Sequence, residues 1–234
     1  MSNGRRWVKK SKLSAVNIAL SAYITALSAG AQQVIAMSEN SASAEGLRER
    51  KRRETRQRIA EVGQRLFLTQ GYAGTTLDTI AAQAGNSRRA FFSYFKSKDD
   101  IIFSWLEADQ ASLIDSLLKT SPDVPPLDAV RDVMVKHIAR YTTEQMIAVD
   151  NLMLASESLL ARKQAHYAEQ EEALFNALCE VWRQPERRPA LRMVAMVSVG
   201  ALRIALAAWR EQSGQRKPAA KFLRDAFDSL KKEL

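Results

Sequence analysis

The chain has 234 residues, 46% of them hydrophobic and 26% charged, with 9 Gly and 6 Pro. That is enough chain for one large or two modest domains with a real core, and the composition excludes a disordered polymer. A single cysteine, Cys179, excludes an intrachain disulfide, and the formal net charge is +9. The location of the charge is more informative than its size. Residues 1–46 hold five Lys/Arg against two Asp/Glu, residues 47–100 hold twelve against six, and residues 101–234 hold eighteen of each. A merely soluble basic surface would not segregate charge in this way. A phosphate-binding end on a neutral body would.

Residues 1–46 read as an N-terminal extension. Arg5, Arg6, Lys9, Lys10 and Lys12 precede a weakly apolar run from Leu13 to Ala31. The order of basic, apolar and small residues resembles a signal peptide. Ser14, Asn17, Ser21, Thr25 and Ser28 break the run with polar groups, which argues against a membrane span. Met37 opens a short polar stretch, and our expectation is translation from residue 37. A native extension, disordered or partly helical, and a functional export or membrane segment stay open as alternatives. From Leu47 to Arg58 the chain is a charge run. It is read either as a solvated helix face supported by i,i+4 pairs or as a basic arm reaching DNA through Arg52 and Arg53. Ile59, Val62, Leu66 and Phe67 then form the apolar stripe of a first helix, ended by Gly71.

The stretch from Thr75 to Lys98 carries two short helices around a tight turn. Thr75 and Asp78 have capping-box spacing, and Leu77, Ile80, Ala81 and Ala84 fall on one helical face. Gly85 follows the last periodic residue, where a helix end favours positive φ. Ser87 is an N-cap candidate for a second helix carrying Arg88, Arg89, Phe91, Phe92, Tyr94 and Phe95. Ser97 and Asp100 form another box that opens the next helix, with Lys98 in its first turn. Helix, glycine turn and a helix with arginines at its start is helix-turn-helix chemistry.

The run from Arg53 to Ile102 resembles the DNA-binding domain of the TetR family of bacterial regulators. The matching positions are Ile59, Leu66-Phe67, Gly71-Tyr72, Thr75-Thr76, Ile80-Ala81, Ala84-Gly85, Ser87, Tyr94-Phe95 and Ser97-Lys98. Asn86, Arg89-Ala90 and Phe92 depart from the common pattern, and the likeness fades after about Glu107. The resemblance implies DNA contacts from Thr75, Thr76, Ser87, Arg88, Arg89, Phe92, Tyr94 and Lys98, with Arg52 and Arg53 alongside. Arg88 and Arg89 are expected at base edges and Lys98 at phosphate.

A long helix is expected from Asp99, carrying Ile101, Ile102, Trp105, Leu106, Leu113, Ile114, Leu117 and Leu118 to the linker at Ser121–Pro126. Helical spacing resumes over Leu127–Tyr141, Thr143–Leu160 and Ala165–Gln184. Between Leu191 and Trp209 only Arg192 and Arg203 are charged. A helix this apolar must be buried on all faces, in part by a second copy of the chain. Phe222, Leu223, Ala226, Phe227 and Leu230 form a last amphipathic helix. The expected fold is all-α with about nine helices and no strands. Its domains are the extension at 1–46, a three-helix helix-turn-helix domain at 47–104, and a larger effector-binding and dimerisation domain at 105–234.

No glycine-rich phosphate loop, zinc spacing or nucleophile elbow occurs, so no enzyme, cofactor or metal site is expected. Glu169, Glu171 and Glu172 read as a solvated helix face, and Cys179 as a packing residue. Trp105, Met134, His137, Tyr141, Met153 and Phe175 serve either a packed core or an apolar effector cavity, with His137 a core histidine or its polar anchor. The reading is a homodimeric, cytoplasmic, ligand-responsive regulator, in the manner of a repressor. Its partners are a palindromic double-stranded operator and a small-molecule effector, with no membrane. An architectural DNA-binding protein without effector and a membrane-associated helical adaptor are the alternatives.

Overall fold

The computed structural model describes residues 46–233, so the expectations for residues 1–45, including the start at Met37, lie outside the described residues. Nine α-helices and one short 3-10 turn occur among the described residues, with no strand. They are α1 (Leu47–Gln70), α2 (Leu77–Gln83), α3 (Arg88–Phe91), α4 (Lys98–Leu118), α5 (Pro126–Ile138), α6 (Thr143–Met153), α7 (Glu157–Val181), α8 (Arg188–Arg210) and α9 (Ala219–Glu233). The all-helical expectation holds. One boundary shifts: the helix expected over Thr143–Leu160 is broken after Met153. The Ser156 hydroxyl accepts from Leu159 N at 3.2 Å and caps a new helix there.

By contacts the chain forms two compact units. The first runs to Asp109 and takes in Ile147–Leu159, a segment expected from the sequence in the second domain. The reason is burial. Leu152, Met153 and Leu159 pack in one core with Ile59, Leu66, Phe67, Ile80, Phe91, Ile101 and Phe103. Gly63 belongs to the same packing. A Cβ on it would lie 2.9 Å from Ile101 Cδ1, so a side chain there would force Ile101 of α4 to shift.

The second unit comprises Gln110–Met146 and Leu160–Leu234. Its core joins Leu117, Val130, Met134, Leu174, Leu178, Trp182, Leu191, Val199, Leu223 and Phe227. Trp182 Nε1 donates to Pro122 O at 2.8 Å and Trp209 Nε1 to Lys217 O at 3.1 Å, so both buried indoles are satisfied. The stretch Pro185–Arg210 is long and apolar enough to cross a membrane, with a mean hydropathy of 1.7 over an 18-residue window within it. In the fold it is two-faced. Leu191, Ala195, Ser198, Ala205 and Trp209 are buried in the unit, whereas Met193, Met196 and Ile204 are exposed. Val197, Gly200, Ile204 and Ala208 line an open apolar groove with Phe222, Ala226 and Leu230 of α9.

Candidate nucleic-acid interface

Local rules build the reading pair. Thr76 is the N-cap of α2, its side chain accepting from Thr79 N at 3.1 Å. The capping expectation is therefore displaced by one residue. Thr75 is buried and its hydroxyl donates to Gly71 O at 2.9 Å, while Asp78 reaches outward instead of back. At the other end of α2, Gly85 adopts φ +66°, Asn86 N donates to Ala81 O, and Gly85 N donates to Ala82 O. This pair of bonds satisfies the last carbonyls and turns the chain sharply. Asn86 adds its own amide to Ala84 O at 2.7 Å, which accounts for a polar residue in this turn.

Ser87 caps α3 as expected, accepting from Ala90 N at 3.1 Å. Turn bonds continue the coil to Phe95. Phe91 and Phe95 are buried and anchor α3, leaving Arg88, Arg89 and Phe92 exposed and Tyr94 half-buried. Arg88 Nη1 pairs with Asp78 Oδ2 at 2.9 Å. Arg89 has no hydrogen bond or ion pair among the described residues.

The start of α4 holds the pair in place. Ser97 and Asp100 form the expected reciprocal box: Asp100 N donates to Ser97 Oγ at 3.2 Å, and Ser97 N to Asp100 Oδ2 at 3.1 Å. Lys98, expected at phosphate, has its ammonium committed within the protein. It donates to Tyr72 O at 2.9 Å and Thr75 O at 3.0 Å and lies 4.1 Å from the Tyr72 ring centroid. Its side chain braces the entry to α2.

The charge run is helical. It forms the first half of α1. Arg52 is exposed on that helix and Arg53 half-buried. Two of its arginines have internal roles that sequence reasoning missed. Arg58 Nε donates to Ala84 O at 3.0 Å, and the Arg56 guanidinium lies 4.7 Å from the Phe95 ring centroid. Nothing local signals either contact, since their partners lie 26 and 39 positions away.

Residues 59–104 match the family model described as bacterial regulatory proteins, tetR family, and residues 124–234 match that of the MftR C-terminal domain. Together the two matches cover more than half of the chain. The chain belongs to the TetR family. It is similar to the HTH-type transcriptional regulator AcrR of Shigella flexneri, 33% identical over 94 residues, 39% of this chain and 44% of the relative. It is also similar to the HTH-type transcriptional regulator TcmR of Streptomyces glaucescens, 29% identical over 140 residues, 58% of this chain and 62% of the relative. The chain thus spans less than two thirds of each. A crystal structure of a TetR-family regulator from Mesorhizobium loti shares the fold, with a TM-score of 0.50 at 17% identity, covering 80% of this chain and 96% of that one. TetR-family proteins are transcriptional regulators and not enzymes.

The residues expected to line a TetR-type effector cavity fall in different places. Met153 belongs to the core of the first unit and the partly buried Trp105 packs against that core, its ring 6.0 Å from that of Phe67. Met134 and Phe175 belong to the second core. His137 is buried, its Nε2 2.9 Å from an Arg140 nitrogen and its ring 6.2 Å from that of Tyr141. No group of three or more metal-ligating side chains occurs among the described residues.

Proposed function

We propose that the protein is a sequence-specific repressor that binds a palindromic DNA operator as a homodimer and is released by a small-molecule effector. The exposed Arg89, with no ion pair among the described residues, at the start of a Ser87-capped helix is the observation that carries the reading. A guanidinium there can make a bidentate contact to guanine in the major groove. Thr76, Ser87, Phe92 and Tyr94 flank it, and Arg52 and Arg53 supply positive charge on α1.

Two protomers pair through the apolar faces of α8 and α9, and their reading helices enter grooves about 34–36 Å apart. The exposed Met193, Met196 and Ile204 support this pairing, since a lone protomer leaves them in water. The effector binds the second unit and favours a state with lower DNA affinity, a coupling of about 1–3 kcal/mol. The site is cytoplasmic, where the operator lies.

Sequencing the genomic fragments retained by the purified protein tests the reading. The expected result is one recurring two-fold-symmetric motif upstream of a small set of genes. Retention of fragments without any shared motif would favour an architectural DNA-binding protein instead.

A further inference from the structure

Four consecutive residues at the start of α4 fill three roles in the first unit. Ser97 and Asp100 cap α4, and Lys98 braces the carbonyls of Tyr72 and Thr75. Asp99 is buried, and its two carboxylate oxygens go to two distant segments. Oδ1 accepts from the Tyr72 hydroxyl, in the turn that leads into α2. Oδ2 accepts from the Ser158 hydroxyl at 2.7 Å, in the first turn of α7. One buried carboxylate therefore joins the entry of the reading pair to the start of the 25-residue helix α7.

We infer that Ser158 and Asp99 are positioning residues for DNA reading, through which the first turn of α7 sets the entry to α2. This rests on the DNA-reading proposal above. A buried carboxylate needs its donors, because an unmatched lone pair in a low-dielectric site is costly. When Ser158 donates, Asp99 is held in the orientation that receives Tyr72. Tyr72 in turn carries one of the carbonyls that fix Lys98, and Lys98 also holds the carbonyl of Thr75, next to the α2 cap at Thr76. Loss of the Ser158 hydroxyl frees Asp99 to rotate and loosens that chain of bonds. The coupling is reciprocal by linkage, so DNA that fixes α2 must also steady the start of α7.

Ser158 is exposed at a helix start, so its substitution leaves the core intact. The test is amide hydrogen exchange on the full chain as wild type, Ser158→Ala and Ser158→Thr, each with and without the duplex most often recovered from genomic DNA. In the DNA-free protein, Ser158→Ala should speed exchange of the Thr79 and Ile80 amides at least threefold, and Ser158→Thr, which keeps a hydroxyl, should restore the wild-type rate. With the duplex, wild-type amides at Leu160–Lys163 should slow at least threefold, and those of Ser158→Ala should not. Ser158→Ala should also bind the duplex three- to tenfold more weakly. Unchanged Thr79 and Ile80 exchange in Ser158→Ala, or equal DNA protection of α7 in both proteins, would overturn the inference. If the wild type retains no duplex, the DNA-reading proposal fails, and the DNA-free exchange still decides whether Ser158 sets the entry to α2.

Discussion

Arg88 and Asp78 pair at 2.9 Å across the helix-turn-helix, so the first guanidinium of the reading helix is tethered to α2 while its neighbour Arg89 is not. Both partners are exposed, and such a pair contributes about 0–1 kcal/mol to stability. Its effect is on direction. Arg88 is held toward α2, and under the proposed reading Arg89 is the one that meets a base.

Arg89→Ala is therefore expected to cost about 1–3 kcal/mol of operator affinity and to relax preference at one base position. Arg88→Ala is expected to cost less and to leave the preference intact. Binding curves on an operator and its single-base variants measure both. Equal losses for the two would mean that the Asp78 tether does not survive on DNA.

Lys98→Ala is expected to weaken binding on every sequence, because the entry to α2 loses two carbonyl braces. It should also lower stability by about 1–2 kcal/mol, the scale of hydrogen bonds from a charged donor that is partly exposed. The salt dependence of DNA affinity should stay as in the wild type. An ammonium that neutralised a phosphate would instead flatten the slope by about one unit when removed. Titrations at several salt concentrations separate the two.

At Gly63 a valine would overlap Ile101 and force α1 from α4. Overpacking of this kind costs about 1–3 kcal/mol. Gly63→Val should lower the melting temperature, and adding Ile101→Ala should recover part of the loss by returning volume at the same point. A double mutant no more stable than Gly63→Val alone would place the strain elsewhere.

Ile204 is 68% exposed on α8 and lines the groove with α9, so a charge there meets no part of its own core. Ile204→Glu should give a folded monomer with reduced operator affinity. Apolar area left in water costs roughly 25 cal/mol per Å2, so the wild type is expected to pair at micromolar concentration. Leu202 is a poorer probe, because it packs on the second core and a charge there would disturb folding first. Sedimentation of wild type and variant provides the comparison.

The Asp128 carboxyl is held below its ordinary value of 3.8, chiefly by the hydrogen bond from Lys231 at 2.6 Å, with burial opposing it. A depressed folded value means that its stabilisation is present above 3.8 and is lost as pH falls through the lowered value. Asp128→Asn should thus reduce stability at neutral pH, by less than about 1 kcal/mol given that Lys231 is partly exposed. The difference should shrink toward zero at the acid end. Urea unfolding at neutral and acid pH provides the measurement.

Local chemistry makes much of this protein legible in its sequence alone. The period of Leu77, Ile80, Ala81 and Ala84, the positive-φ glycine at Gly85, and the caps Ser87 and Ser97 act over one to four residues. A sequence displays such relations directly, and so the helix-turn-helix and the all-helical fold can be read from it. Tertiary structure decides what the same residues do at a distance. Lys98 looks like a phosphate ligand in the sequence, yet its ammonium sits on carbonyls 23 and 26 positions back. Arg58 looks like part of a basic arm, yet it caps the end of α2. Met153 has the softness of a cavity residue, yet it is buried beside Leu152 and Leu159 in the helix-turn-helix core. Asp99 shows no sign in the sequence that it joins Tyr72 to Ser158, 59 positions onward. Periodicity says which face of a helix is apolar or charged. Only the packed fold decides which distant group that face meets, because the partner is chosen by shape and burial and not by spacing along the chain.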